Sequence, residues 1–231
     1  MQITSSDGPL RYAARILQDT TQAARQQQTL RRAIRRMPTP VPWDWASRRL
    51  IPLLAGPRFD EPGRPLVRRR SELGPAVEFG LDLGGVFVMV DQPVADRWEC
   101  TADQLNERGL RNLRERTARI DRDRVVSGVM SGYPIRLIHD RPAWASSILL
   151  DLDSVVRLFG SHDQVLAAPT ARCVVSLPID TPGPIAAGIV VDLEGSGLTS
   201  LFLDPFVLAD GVLSWAGAPR DGEEEDADWT S

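Results

Sequence analysis

The chain has 231 residues, 42% of them hydrophobic and 25% charged. That composition fits one packed domain with a small appendage, and it excludes a wholly disordered or collagen-like chain. All 27 basic residues are arginine. Without a lysine amine there is no Schiff base, no lysine-anchored pyridoxal phosphate and no Ser–Lys dyad. The phosphate lysine of a Walker loop and the nucleotide-positioning lysine of a protein kinase are excluded with them.

An all-arginine chain is what a GC-rich bacterial genome writes, which makes codon bias the simplest origin of this usage. No run approaches the ~18 consecutive apolar residues of a membrane span, and the segment GGVFVMV at 84–90 is strand-sized. The N-terminal sequence lacks a basic n-region followed by an apolar h-region, which argues against a secretory signal. Cys100 and Cys173 show no C-x-x-C or histidine pairing and are expected as thiols in a reducing, cytoplasmic compartment. Charge is uneven: residues 1–75 carry 14 Arg against 6 acids, a net of +8, and residues 76–231 a net of −12. This points to a basic arm and an acidic body.

In chain order, apolar positions at helical spacing predict a helix from Pro9 to Met37. Leu10, Ala13, Ala14 and Leu17 form one sticky end, and Leu30, Ala33, Ile34 and Met37 the other. Arg31, Arg32, Arg35 and Arg36 crowd its last turns, where cations suit the helix dipole. Pro38, Pro40 and Pro42 then form a semi-rigid linker, which places the arm's boundary at residue 42. Trp43 to Leu54 reads as a short helix kinked or ended at Pro52, and 56–65 as a turn-rich segment. Leu66–Arg70 is an expected edge strand, and Ala76–Leu81 and Val86–Asp91 an expected hairpin. Thr101-Ala-Asp-Gln104 is a capping-box pattern that opens a helix to about Thr117. Residues 121–132 read as a loop, Pro134–His139 and Ser146–Leu150 as strands, and Ser154–Phe159 as a helix capped by Asp153. Strands follow at Gln164–Ala168 and Cys173–Leu177. Ile185–Leu193 is compatible with helix or strand. Leu201–Leu208 and Val212–Trp215 predict a terminal hairpin, and 220–231 a disordered acidic tail. The expected fold class is α+β, with a mixed, largely antiparallel sheet, a few flanking helices and an N-terminal helical arm. The domains are the arm at 1–42, the α+β domain at 43–219 and the tail.

Three stretches carry a family likeness: VFVMVDQPVADRWECTADQLNERGLRNLRER at 86–116, SSILLDLDSVVRLFG at 146–160 and QVLAAPTARCVVSLP at 164–178. Followed by LFLDPFVLADGVLSW at 201–215, this order of elements resembles the YtpQ-like family of uncharacterised bacterial proteins over about residues 75–217. The resemblance implies an α+β domain and brings no activity or catalytic residue with it.

Candidate chemistry is sparse. His139-Asp140 and His162-Asp163 are histidine–carboxylate dipeptides of the kind a general base uses, but neighbours on a strand point to opposite faces. Asp151 and Asp153 have the spacing of a carboxylate pair for a hard cation, against the simpler roles of strand end and helix cap. Gly195-Ser196-Gly197 lacks the third glycine and the following helix of a dinucleotide turn. Cys100, with Arg97 nearby, needs a lowered pKa to act as a nucleophile. No cofactor or metal is expected.

The arm is the most informative feature. Leu30, Arg31, Arg32, Ile34, Arg35, Arg36, Trp43 and Trp45 combine apolar, guanidinium and aromatic groups, the residue types that dominate binding hot spots. The reading is a non-catalytic interaction protein that binds a protein partner, or itself as an oligomer, through its N-terminal helix. The alternatives are a nucleic-acid-associated protein using the same arginines, with Arg25, on phosphates, and a hydrolase or transferase using His139 or His162. Charge alone also allows the acidic tail to mask the arm.

Overall fold

The computed structural model describes residues 37–56, 65–84, 86–139, 142–194 and 203–216, together with Gln28, Arg31, Arg32, Arg35 and Leu201. Most of the expected arm, Gly195-Ser196-Gly197 and the acidic tail lie outside the described residues. The chain divides into one unit ending at Pro42 and a second from Trp43 to Ser231. In the first, Gln28, Arg31, Arg32 and Arg35 are helical and exposed.

The second unit is α+β, built on two sheets where one was expected, and every strand pair among its described residues is antiparallel. Its first sheet centres on β3 (Ala76–Asp82), with β1 (Leu50–Leu54) along one edge. Along the other edge β2 (Arg68–Arg70) pairs with 76–78 and β4 (Phe87–Met89) with 80–82, end to end. The helix expected over 43–54 is only the single turn α1 (Trp43–Ala46). Pro52 sits inside β1 instead, and β1 is an edge strand, the place in a sheet where a missing N–H is tolerated.

Next come α2 (Gln92–Arg97), capped by Asp91, and α3 (Ala102–Thr117). The expected capping box is present in both halves: Gln104 N–H donates to Thr101 Oγ1, and Thr101 N–H to Gln104 Oε1 at 2.9 Å. Gly109 lets α3 lie close on β1, because a Cβ there would stand 2.9 Å from Pro52 Cδ.

The second sheet has six strands in the order β10-β9-β7-β8-β6-β5. Its first hairpin corrects the loop expected at 121–132: a 3₁₀ turn at Arg122–Arg124 leads into β5 (Val126–Met130), which turns at Ser131-Gly132 into β6 (Tyr133–Ile138). The strand expected at 146–150 is a buried 3₁₀ helix, Ala145–Leu150. A fully buried apolar run has no face to alternate, so periodicity cannot tell these states apart. Helix α4 (Leu152–Phe159) starts earlier than expected. Its cap is Asp151, whose side chain accepts from Ser154 N–H and Oγ, and Asp153 is its exposed second residue.

β7 (Gln164–Thr170) and β8 (Cys173–Pro178) follow, then α5 (Gly183–Glu194), which settles the 185–193 ambiguity as a helix. β9 (Phe206–Ala209) and β10 (Val212–Trp215) form the terminal hairpin. Asp210 and Gly211, both at positive φ, make its turn.

One core fills the space between the sheets: Ile51 and Val77 face Ile138, Leu166, Val174 and Phe206, with Ile148, Leu149, Leu158 and Phe159 between. The opposite face of the second sheet packs Ala167, Val175 and Leu177 against Ile189 of α5, as strand alternation requires. Two arginines close helix ends. Arg157 donates to the carbonyls of Thr117 and Ile120 after α3, and Arg136 to those of Leu158 and Phe159 at the end of α4. Those of Thr117, Leu158 and Phe159 are orphan acceptors of the kind every helix C-terminus leaves.

Candidate functional site

Of the residues expected to dock a partner, Arg31, Arg32 and Arg35 are helical and exposed. Leu30, Ile34 and Arg36 lie outside the described residues. Trp43 packs on Trp98 with ring centroids 5.5 Å apart, and the Arg49 guanidinium lies 4.0 Å over the Trp45 ring. Both tryptophans are half-buried, and these contacts turn part of each ring toward the domain that carries it.

The histidines are not brought together. His139 follows β6, whose Ile138 pairs with Val174, while His162 precedes β7, whose Gln164 pairs with Pro178. They therefore stand at opposite ends of β8, and both are exposed. Asp163, the expected partner of His162, instead accepts from the Asp210 N–H and holds the β9–β10 turn. Burial pushes the Cys100 thiol above its ordinary pKa, and the Glu99 charge adds to this. That is the wrong direction for a nucleophile. Cys173 is fully buried. Among the described residues no three His, Cys, Asp or Glu side chains cluster as a metal would need.

What the structure does assemble is a cleft of about 350 Å³ between the 71–73 turn, α3, the start of α4 and the β9–β10 turn. That volume lies in the range of small-ligand sites. At its centre Arg114 Nε donates to Asp151 Oδ1 at 2.8 Å; the carboxylate is 3% exposed and the guanidinium 61%. Asp151 is thus used twice, as cap of α4 and as anchor for Arg114. The hydrogen bond and charge of Asp151 push the Arg114 pKa up, with smaller contributions from Asp153 and Glu72, both of which line the same cleft.

Two further polar groups there have no partner among the described residues. Asn106 is 8% exposed and its side-chain amide makes no hydrogen bond to a described residue, and Ser71 Oγ is buried without one. The sequence reading missed Asn106, Ser71 and Arg114. A signal existed for the first: Asn106 falls on the buried stripe Leu105, Gly109, Leu113 of α3, where a polar residue demands a reason.

A different surface is left at the sheet edge. β5 pairs with β6 alone, contains no charged residue, and exposes Val126 (57%) and Val129 (70%). Among the described residues, no helix is long and apolar enough to cross a membrane. Compared with known protein families, curated proteins and solved structures, the chain matches none.

Proposed function

We propose that this protein is a non-catalytic interaction protein whose N-terminal helix docks on a second polypeptide, either a partner or another copy of itself. The observation that carries the reading is the placement of Arg31, Arg32 and Arg35 at helical spacing, all exposed, in a unit separate from residues 43–231. Guanidinium groups free of ion pairs to the described residues are suited to bidentate capture of carboxylates. The β5 edge adds support, since an unpaired, uncharged strand offers main-chain hydrogen bonds to an incoming chain. Phosphate binding by the same arginines is the weaker reading, because residues 76–231 carry a net charge of −12 that repels a polyanion. In this reading the protein works in a reducing bacterial cytoplasm. The YtpQ-like resemblance adds an α+β domain to it and no activity.

The test is quantitative capture from nuclease-treated extract of the source cells, with the full chain and its R31E/R32E/R35E variant as baits. The reading expects a stoichiometric protein, or additional copies of the chain itself, to be lost with the variant. Identical captures overturn it. Binding that appears only when nucleic acid is left intact, and that weakens steeply with salt, assigns the arginines to phosphates instead.

A further inference from the structure

The cleft beside Arg114 goes beyond that reading, because it is a site for a small molecule. Its charge balance is three carboxylates, Glu72, Asp151 and Asp153, to the one guanidinium of Arg114. Asp151 and Arg114 satisfy each other, and Ser154 takes the remaining carboxylate oxygen of Asp151. The charge left to meet a ligand is therefore that of Glu72 and Asp153, both exposed at the rim, and an anion is repelled by both.

Below the rim the walls are Leu73, Leu110, Leu150 and Leu213, which favour an apolar chain. Asn106, more than nine-tenths buried, also lines the cleft and makes no hydrogen bond to a described residue, and Ser71 Oγ is buried there without a partner among the described residues. Leaving a buried hydroxyl without a partner is costly, and Ser71 and Asn106 both offer an oxygen acceptor to an N–H donor.

We infer that this cleft binds a small organic cation, an alkylammonium with a short apolar tail, its charge held between Glu72 and Asp153 and its N–H groups reaching Asn106. Asp151 and Arg114 form the floor that fixes α3 against α4, and the Arg114 guanidinium, on which Glu72 and Asp153 also act, leaves the cleft a net excess of negative charge for a cation to meet.

Calorimetric titration of the full chain with n-pentylammonium, pentanoate and norvaline at low salt tests this directly. Saturable binding is expected for n-pentylammonium alone, weakening at least tenfold in the E72Q/D153N variant and falling as ionic strength rises. Both substituted residues are exposed, so the variant keeps its fold, checked by a melting curve lowered by no more than about 1–2 °C, the loss of the Asp153 charge at the start of α4. An N106L variant, which removes the unmet amide, is expected to lose affinity while melting no lower than the parent. The proposal is overturned by absence of saturable n-pentylammonium binding, by equal binding of pentanoate or norvaline, or by full affinity in E72Q/D153N. None of these results bears on the arginine helix.

Discussion

Replacing Asp151 with alanine removes three interactions at once, and the structure allows each to be weighed. Loss of the cap on Ser154 N–H costs about 1 kcal/mol. The buried 2.6 Å bond from Ser154 Oγ contributes about 1 kcal/mol more, since it leaves a hydroxyl unmet inside the fold. The pair with Arg114 adds only about 0–1 kcal/mol, because that guanidinium is largely in water and rehydrates when its partner goes. The sum is about 2–3 kcal/mol, or a fall in Tm of roughly 5–10 °C for a domain of this size. Asp153→Ala, one turn position away and exposed, loses only a favourable charge near the helix N-terminus, about 0.5 kcal/mol. Urea and thermal unfolding followed by tryptophan fluorescence separate the two variants. Equal losses, or a larger loss for Asp153→Ala, would refute the assignment of Asp151 as the cap and the floor of the cleft.

Gly109→Ala gains about 1 kcal/mol of helix propensity but drives a methyl into the rigid Pro52 ring at 2.9 Å, a collision of about 1–3 kcal/mol. Net destabilisation is expected in urea unfolding, and a stabilised variant would show that α3 does not need this approach to β1. Arg136→Ala removes two donors from the end of α4 and should cost about 2 kcal/mol. Arg136→Lys should recover less than half of that loss, because an ammonium does not span both carbonyls; full rescue would mean that charge alone matters. Cys100, with its pKa raised, should react with a disulfide reagent at pH 8 more slowly than glutathione. Its rate should climb as pH passes the ordinary thiol range, and Cys173 should react only on unfolding. A Cys100 faster than glutathione at pH 8 would contradict the raised pKa.

The parts of this fold that are legible in the sequence are those where one residue has one job. Thr101 and Gln104 announce α3 because each side chain meets a named backbone N–H of the other. The hairpin at 206–215 is announced by Asp210-Gly211, which tolerate positive φ. Legibility fails where tertiary context decides. β5 reads as a loop because VSGVM carries no alternation; pairing with β6 alone makes it a strand, its first four residues exposed. Pro52 reads as the kink or end of a helix because it lacks the N–H a helix needs, and only the edge position of β1 explains its tolerance in a strand. Asp151 and Asp153 are two plausible caps two residues apart, and the choice depends on where the preceding buried 3₁₀ turn ends. Two sheets instead of one follow from long-range pairing that no local pattern encodes. The cleft was harder still, since Ser71, Asn106 with Arg114 on α3, and Asp151 come from three separate segments. Of these, Asp151 stands out in the sequence through its spacing from Asp153, and Asn106 through being polar on a buried helix stripe; Ser71 and Arg114 carry no such signal.

The central claim is that the arginine helix faces a partner. The most direct test installs a photo-crosslinking residue at position 32 of the full chain, in its source cells. The control carries the same residue at Arg119, exposed in the second unit. A discrete adduct heavier than the monomer, formed from position 32 and absent from position 119, is the predicted result. Indistinguishable products from both positions, or none beyond the monomer, would contradict the account.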